Sequence, residues 1–178
     1  MEAQGDLNVY FADESGFSLT PYVPYGWRKV GRTDGIPSER SSRINVFGLM
    51  SRNNEPESYC SSGSFTSELI IACIDNFFVS ATKGRTVIIM DNASVHSGAA
   101  FKEKIEEWKE QDLFIFFLPR YSPHLNLIEI LWRKIKYEWL KPADYENLKT
   151  LEEALKNILT GFGRDFFINF KAPEVSNI

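Results

Sequence analysis

The chain has 178 residues, of which 43% are hydrophobic and 14% aromatic, and its formal net charge is −4. This length and composition are typical of one globular domain with a sizeable core, and they exclude a disordered chain. This net negative charge contrasts with the basic surface that nucleic-acid-binding proteins usually have. A carboxylate metal site, however, adds negative charge to a protein until its ions bind.

Cysteine content and apolar runs limit the other classes of site and location. The two cysteines, Cys60 and Cys73, form no CxxC pair, so we predict two reduced thiols and no zinc site. No apolar run reaches the length of a membrane span, and the first residues lack the pattern of a signal peptide. We therefore expect a soluble, cytoplasmic protein that does not contact a membrane.

The first part of the chain predicts mainly strands. A strand is predicted over residues 7–13, and we expect Gly16 to stop it; residues 17–32, with two Pro and two Gly, predict a hairpin or an irregular loop. Two more strands are predicted over residues 43–50 and 58–65. Apolar positions at helical spacing then predict a helix over residues 66–79, with Thr66 or Ser67 as its N-cap.

The second part of the chain predicts alternating strands and helices. The unbroken apolar runs 86–91 and 113–118 are typical of strands buried on both faces in a parallel sheet. Helices are predicted over residues 98–110, 126–140 and 151–159. This order predicts a single α/β domain over residues 1–178, with a mixed central sheet flanked by helices.

Two aspartates stand at the ends of predicted strands. Asp91 ends an apolar run, and Asp13 closes the first strand on the same face as Val9 and Phe11. Because ligands gather outside the carboxyl ends of strands in such sheets, both carboxylates are candidates to bind a ligand or metal. The alternative is structural, since Asp also favours turns and helix caps.

A third acid, Glu129, lies near the start of the helix predicted over residues 126–140. It flanks an apolar stripe whose members are Ile128, Trp132, Ile135 and Trp139, so it stands at the boundary between core and cleft. Three carboxylates brought together could hold two Mg²⁺ ions, which prefer oxygen ligands and can clamp both reacting oxygens of a phosphodiester. Alternatively, Asn126 as N-cap and Glu129 at N3 would form a capping box.

Three segments contain these acids: residues 11–17 (FADESGF), 90–96 (MDNASVH) and 118–132 (LPRYSPHLNLIEILW). They resemble the DDE catalytic domain of the IS630/Tc1/mariner transposases, and the last segment is the most specific. The resemblance implies an RNase H-like fold, cleavage at transposon ends and transfer of a 3′-hydroxyl into target DNA. It implies Asp13, Asp91 and Glu129 as catalytic ligands of two Mg²⁺ or Mn²⁺ ions.

The resemblance also implies supporting residues and partners. Asn92, His96 and Asn126 match polar positions near the site, although His96 could equally be a loop histidine in a helix cap. DNA is the implied partner, and a homodimer would suit chemistry on paired DNA ends. The candidates for phosphate contacts are Arg28, Lys29, Arg32, Arg120, Arg133 and Lys136, together with Arg40 and Arg43. Each could instead be an ordinary solvated surface charge.

Two other interpretations stay open. The N-terminal helix-turn-helix modules of such transposases do not precede Asp13 here, so we expect weak sequence recognition. That departure favours an inactive or domesticated fragment that keeps the fold and binds DNA or a partner, whereas the intact acids favour an enzyme. A phosphatase of the aspartyl-phosphate kind would need a second Asp two residues after Asp13, where Ser15 stands.

Overall fold

The structure, a computed structural model, describes residues 7–20, 43–81, 84–93, 98–120 and 122–170. The loop or hairpin predicted for residues 17–32 lies mostly outside the described residues. Within them, no helix is long and apolar enough to cross a membrane.

Five strands form one mixed sheet in the order β3-β2-β1-β4-β5. Their bounds are β1 Asn8–Ser18, β2 Arg43–Ser51, β3 Pro56–Ser61, β4 Thr86–Met90 and β5 Leu113–Phe117. The first three strands pair antiparallel, whereas β4 runs parallel to β1 and to β5. This is the mixed sheet that the order of predicted elements indicated, with β3 beginning two residues before its predicted start.

The expectation that Gly16 stops the first strand is wrong. Strand β1 continues to Ser18, because β2 pairs with it along its whole second half, including Gly16 opposite Asn45. Strand β4 accompanies β1 only as far as the pair of Phe11 and Ile89. From Asp13 onward, β1 therefore pairs on one side with β2 and extends beyond the end of β4.

The two apolar runs differ in burial. Strand β4 lies between β1 and β5, and its residues Thr86, Ile88 and Met90 are fully buried. Strand β5 was predicted to be buried on both faces, which is wrong for its second half: Phe116 is 57% exposed. Among the described residues β5 pairs only with β4, so it is an edge strand.

Helices cover both faces of the sheet. The helix bounds are α1 Ser67–Ala81, α2 Ala99–Glu110, α3 Ile128–Lys134 and α4 Leu148–Gly161. Side chains of β1 alternate between two cores: Tyr10 packs with α1 and α2, and Phe11 packs with α3 and α4. Each large apolar side chain that is fully buried contributes about 1.5–3 kcal/mol to stability.

As predicted, the Thr66 hydroxyl caps α1 by accepting a hydrogen bond from the Leu69 N–H at 3.3 Å.

The helix predicted over residues 126–140 is divided into two parts, α3 and a π-helical turn. A 3₁₀ turn, Pro123–Leu125, precedes α3, and a π-helical turn, Ile135–Trp139, follows it. In the wide turn the Leu140 N–H donates to the Ile135 carbonyl at 3.0 Å, and both side chains are buried in the same core. A second 3₁₀ turn, Pro142–Tyr145, leads into α4.

Candidate active site

Asp13 is held between the sheet and α3. The Trp132 indole N–H donates to the Asp13 carboxylate (Oδ2) at 3.1 Å. Gly48 stands opposite Asp13 on β2, and a Cβ there would lie 2.6 Å from Cη2 of Trp132. Because β2 has no side chain at this position, the indole can pack against the sheet and reach the aspartate.

Asp91 follows immediately after β4, beside Asp13. Since β1 and β4 are parallel and Phe11 pairs with Ile89, continuing the register by two residues places Asp13 next to Asp91. Asp91 is exposed, and its Oδ1 accepts a hydrogen bond from the Ala93 N–H at 3.3 Å. Asp91 therefore accepts the hydrogen bond of a turn, as the structural alternative predicted, and it also lines the cleft.

Glu129 lies in the first turn of α3, with its side chain exposed. The alternative of a capping box is wrong, because Leu127 occupies the N-cap position and the Asn126 side chain turns toward the sheet. The Asn126 Nδ2 donates to the Ala12 carbonyl at 3.0 Å, next to Asp13 in the chain. The buried Asn126 Oδ1 accepts no hydrogen bond from the described residues. Asn126 thus ties the start of α3 to β1, which fixes Glu129 close to Asp13.

The three carboxylates line one cleft of about 420 Å³. The prediction that Asp13 closes the first strand is wrong, because β1 continues to Ser18. Asp13 lies within β1 at the level where β4 ends, Asp91 follows the end of β4, and α3 supplies Glu129. The remaining lining residues are Asn92, Leu118, Pro119, Arg120, Ser122, Pro123 and Asn126. The sequence-predicted acids, together with Asn92 and Asn126, are therefore brought to one place.

The ionisation of Asp13 reflects this crowding. Burial raises the pKa of Asp13 most, and the carboxylates of Glu129, Glu14 and Asp91 raise it further, to about 8. A hydrogen bond from the Glu14 backbone N–H opposes the rise. At neutral pH the carboxyl is therefore largely protonated, and a cation placed among these acids would reverse that balance.

The donor set suits a hard divalent cation. The acids and amides around the cleft offer oxygen atoms, which Mg²⁺ and Mn²⁺ prefer over other ligands. The described residues nevertheless contain no group of three or more His, Cys, Asp or Glu side chains already gathered at metal-binding distance. The mutual repulsion that raises the pKa of Asp13 is what a bound cation would relieve, so the residues fit such an ion.

The candidate DNA contacts occupy different places. Arg120 is exposed at the cleft of the three acids, and Arg133 lines a neighbouring groove of about 600 Å³. Lys136 is partly buried and lines both that groove and a smaller cleft beside the three acids, which Arg43 also lines. The other candidates for DNA contacts lie outside the described residues: Arg28, Lys29, Arg32 and Arg40. The predicted supporting residue His96 also lies outside them.

Sequence reasoning missed two residues that position the site. Trp132 was predicted as a core residue only, and Gly48 was not singled out. The spacing of Trp132, three residues after Glu129, was a usable signal because it places both on neighbouring parts of one helical surface. The role of Gly48 depends on its register opposite Asp13, which the sequence alone does not reveal.

Comparison with known families decides the relationship. Residues 8–152, which contain all three acids, match the family described as DDE superfamily endonuclease. The chain belongs to the DDE superfamily endonucleases. The DDE family that the sequence resemblance implied is thereby confirmed. No curated protein sequence matches significantly.

Solved structures share the fold of this DDE endonuclease chain. The Mos1 mariner paired-end complex with Mn has a TM-score of 0.61 at 12% identity, covering 86% of this chain and 48% of that chain. The Mos1 strand transfer complex gives 0.59 at 12% identity, covering 86% and 47%. The catalytic core of BIV integrase gives 0.53 at 14% identity, covering 94% and 87%. These likenesses confirm the RNase H-like fold, and the chain spans about half the length of the Mos1 chains.

Proposed function

We propose that this chain is the catalytic domain of a cut-and-paste DNA transposase of the IS630/Tc1/mariner group. In this proposal Asp13, Asp91 and Glu129 hold two divalent ions, Mg²⁺ or Mn²⁺, and the domain cleaves DNA strands and transfers a 3′-hydroxyl. The observation that carries it is that three carboxylates from separate elements line one cleft and that the pKa of Asp13 is raised to about 8 there.

The protein supplies positioning and charge for this reaction. Bound divalent ions would supply activation of the attacking hydroxyl and stabilisation of the leaving oxygen. Trp132 holds the Asp13 carboxylate in one orientation, and Asn126 keeps α3 against β1. Arg120, exposed at the cleft, is placed to contact a phosphate of the DNA strand.

DNA is the proposed partner. Four of the similar Mos1 structures are described as a strand transfer complex, a paired-end complex with left transposon end, and paired-end complexes with Mn and with Mg. A homodimer is part of the proposal because transposition acts on two DNA ends. We place the activity on chromosomal DNA in the cytoplasm, with the three acids as the catalytic residues and Asn92 and Asn126 in supporting roles.

A plasmid-nicking experiment tests the proposed activity. Wild-type protein is incubated with supercoiled plasmid and Mn²⁺, beside Asp91→Asn, Glu129→Gln and the control Glu106→Gln, which changes an exposed acid on α2. We expect wild type and control to nick, and the two cleft variants to fall to the level seen without metal. Equal nicking by all four proteins would contradict the proposal. Metal binding without any nicking would favour a fragment that keeps the fold and binds DNA without catalysis.

A further inference from the structure

A second cleft adjoins the cleft of the three acids. It measures about 330 Å³ and shares two lining residues, Asp13 and Glu129, with the first cleft. Its other lining residues are Glu14, Ser15, Gly16, Ser18, Arg43, Trp132 and Lys136. Asp13 and Glu129 thus form a wall that the two clefts share. Of these two clefts, only the second is lined by Arg43 and Lys136.

Arg43 reaches this cleft across β1. It is the first residue of β2 and pairs with Ser18 at the end of β1. Its guanidinium lies against Gly16, so that a Cβ at Gly16 would collide with it. The missing side chain at Gly16 therefore makes the space that the Arg43 side chain occupies, and it also explains a glycine inside a continuous strand.

Lys136 approaches the cleft from the π-helical turn. Its Nζ lies 5.3 Å from the centre of the Phe17 ring, and the side chain is partly buried. Burial lowers the pKa of Lys136 most, Arg43 lowers it further, and Glu129 and Asp13 raise it. Lys136 is therefore within electrostatic reach of Arg43 and of the two acids in the shared wall.

Two cations held near each other beside hydroxyl groups form a natural site for a phosphate. We propose that Arg43 and Lys136, with the hydroxyls of Ser15 and Ser18, bind the phosphate next to the scissile one on the substrate strand. This inference rests on the proposed function, since the scissile phosphate must occupy the adjoining cleft. Because the same cleft contains the carboxylates of Asp13, Glu14 and Glu129, the subsite gains positive potential when divalent ions neutralise its shared wall.

The salt dependence of DNA binding tests the subsite. A short fluorescent DNA duplex of arbitrary sequence is titrated at several salt concentrations in Ca²⁺ with wild type, Arg43→Met, Lys136→Met and the double variant. If both side chains serve one phosphate, the double variant lowers the slope of log K against log salt by about 0.9. The control Lys134→Met removes a neighbouring lysine that is paired with Glu138 at 2.6 Å, and it should leave the slope unchanged.

Three results would overturn the subsite. The first is an unchanged slope of log K against log salt in the double variant, and the second is a slope lowered by about 1.8, which indicates two separate phosphates. The third is no DNA binding by wild type even at low salt. Arg43→Lys keeps the charge and should keep the slope, which separates a lost contact from a folding defect.

Calorimetry with Mn²⁺ alone distinguishes the two proposals. If Asp91→Ala binds Mn²⁺ as wild type does, the proposed function fails; if only the slopes are unchanged, the phosphate subsite alone fails.

Discussion

The indole N–H of Trp132 donates a hydrogen bond to the Asp13 carboxylate at 3.1 Å, joining α3 to the strand that carries the first acid. Gly48, opposite Asp13 on β2, leaves the space that the indole needs. One aromatic residue therefore fixes both the packing of α3 on the sheet and the orientation of a candidate metal ligand. A change at any of the three positions should affect stability and metal binding together.

Replacing Trp132 by Phe tests this coupling. The change keeps an aromatic ring but removes the donor, so we expect a loss of roughly 1–2 kcal/mol in the free energy of unfolding. Mn²⁺ binding should weaken several-fold at neutral pH, because the ionised form of Asp13 loses a stabilising hydrogen bond. Urea unfolding and calorimetry measure the two effects. The matched control is Trp139→Phe, whose ring packs on Phe162 and Phe166; it should lose stability without losing Mn²⁺ affinity.

Gly48→Ala probes the same contact from the strand. The added methyl group would lie 2.6 Å from Cη2 and 2.9 Å from Cζ2 of Trp132, so the indole must move. Overpacking of this kind costs about 1–3 kcal/mol, and the displaced indole should also weaken Mn²⁺ binding. Gly63→Ala serves as control, since its Cβ would meet only Ser61 Oγ at 3.9 Å. Equal stability of the two variants in thermal unfolding would show that the contact between Gly48 and the Trp132 indole does not contribute to stability.

The pKa of Asp13 makes the stability of the metal-free protein depend on pH. A carboxyl whose pKa is about 8 when folded and about 4 when unfolded binds more protons in the folded state between those values. Its contribution is fully present below pH 4 and is lost as the pH rises through 8. Asp13→Asn cannot ionise and keeps an acceptor for Trp132, so with a chelator present it should exceed wild type in stability by roughly 1–3 kcal/mol at pH 8.

This difference should shrink toward zero below about pH 4, where the wild-type carboxyl is protonated in both states. Urea unfolding of both proteins at several pH values gives the comparison. A wild type that is as stable as Asp13→Asn throughout the range would mean that neither burial nor the neighbouring acids raise the pKa of Asp13 in the folded protein.

Metal binding should release a proton. Below pH 8 most Asp13 carboxyls are protonated, and a ligand must lose its proton before it binds a cation. We therefore expect Mn²⁺ affinity to rise about tenfold per pH unit up to pH 8 and then to level off. Calorimetry in two buffers of different ionisation enthalpy counts the protons released. Affinity that does not change between pH 6 and pH 8 would contradict a metal ligand that must lose its proton in this range.

The sequence predicted those parts of the site that depend on strand ends. Asp91 follows the end of β4, as its apolar run predicted. The parallel pairing of β1 with β4 places Asp13 beside it, although β1 continues past Asp13 to Ser18. The apolar stripe beside Glu129 likewise placed α3 on the core correctly, since Ile128, Trp132 and Ile135 are buried. Local spacing was sufficient for these predictions.

Features that depend on register or on the edges of the sheet could not be predicted in the same way. Gly16 looked like a strand breaker because the pairing of β1 with β2 is not visible in the sequence, and that pairing continues the strand to Ser18. The side chain of Asn126 bonds Ala12, a residue far away in sequence, instead of capping its own helix. The exposure of Phe116 follows from the edge position of β5.

The most direct test of the metal site is a Mn²⁺ titration by calorimetry of wild type, Asp13→Ala, Asp91→Ala, Glu129→Ala and the control Glu106→Ala, with circular dichroism to confirm an unchanged fold. If the three acids hold the ions, wild type and Glu106→Ala bind Mn²⁺ alike, and each cleft variant loses most of that binding. Equal binding by all five proteins, or no binding by wild type even with DNA added, would contradict the assignment of these acids as metal ligands.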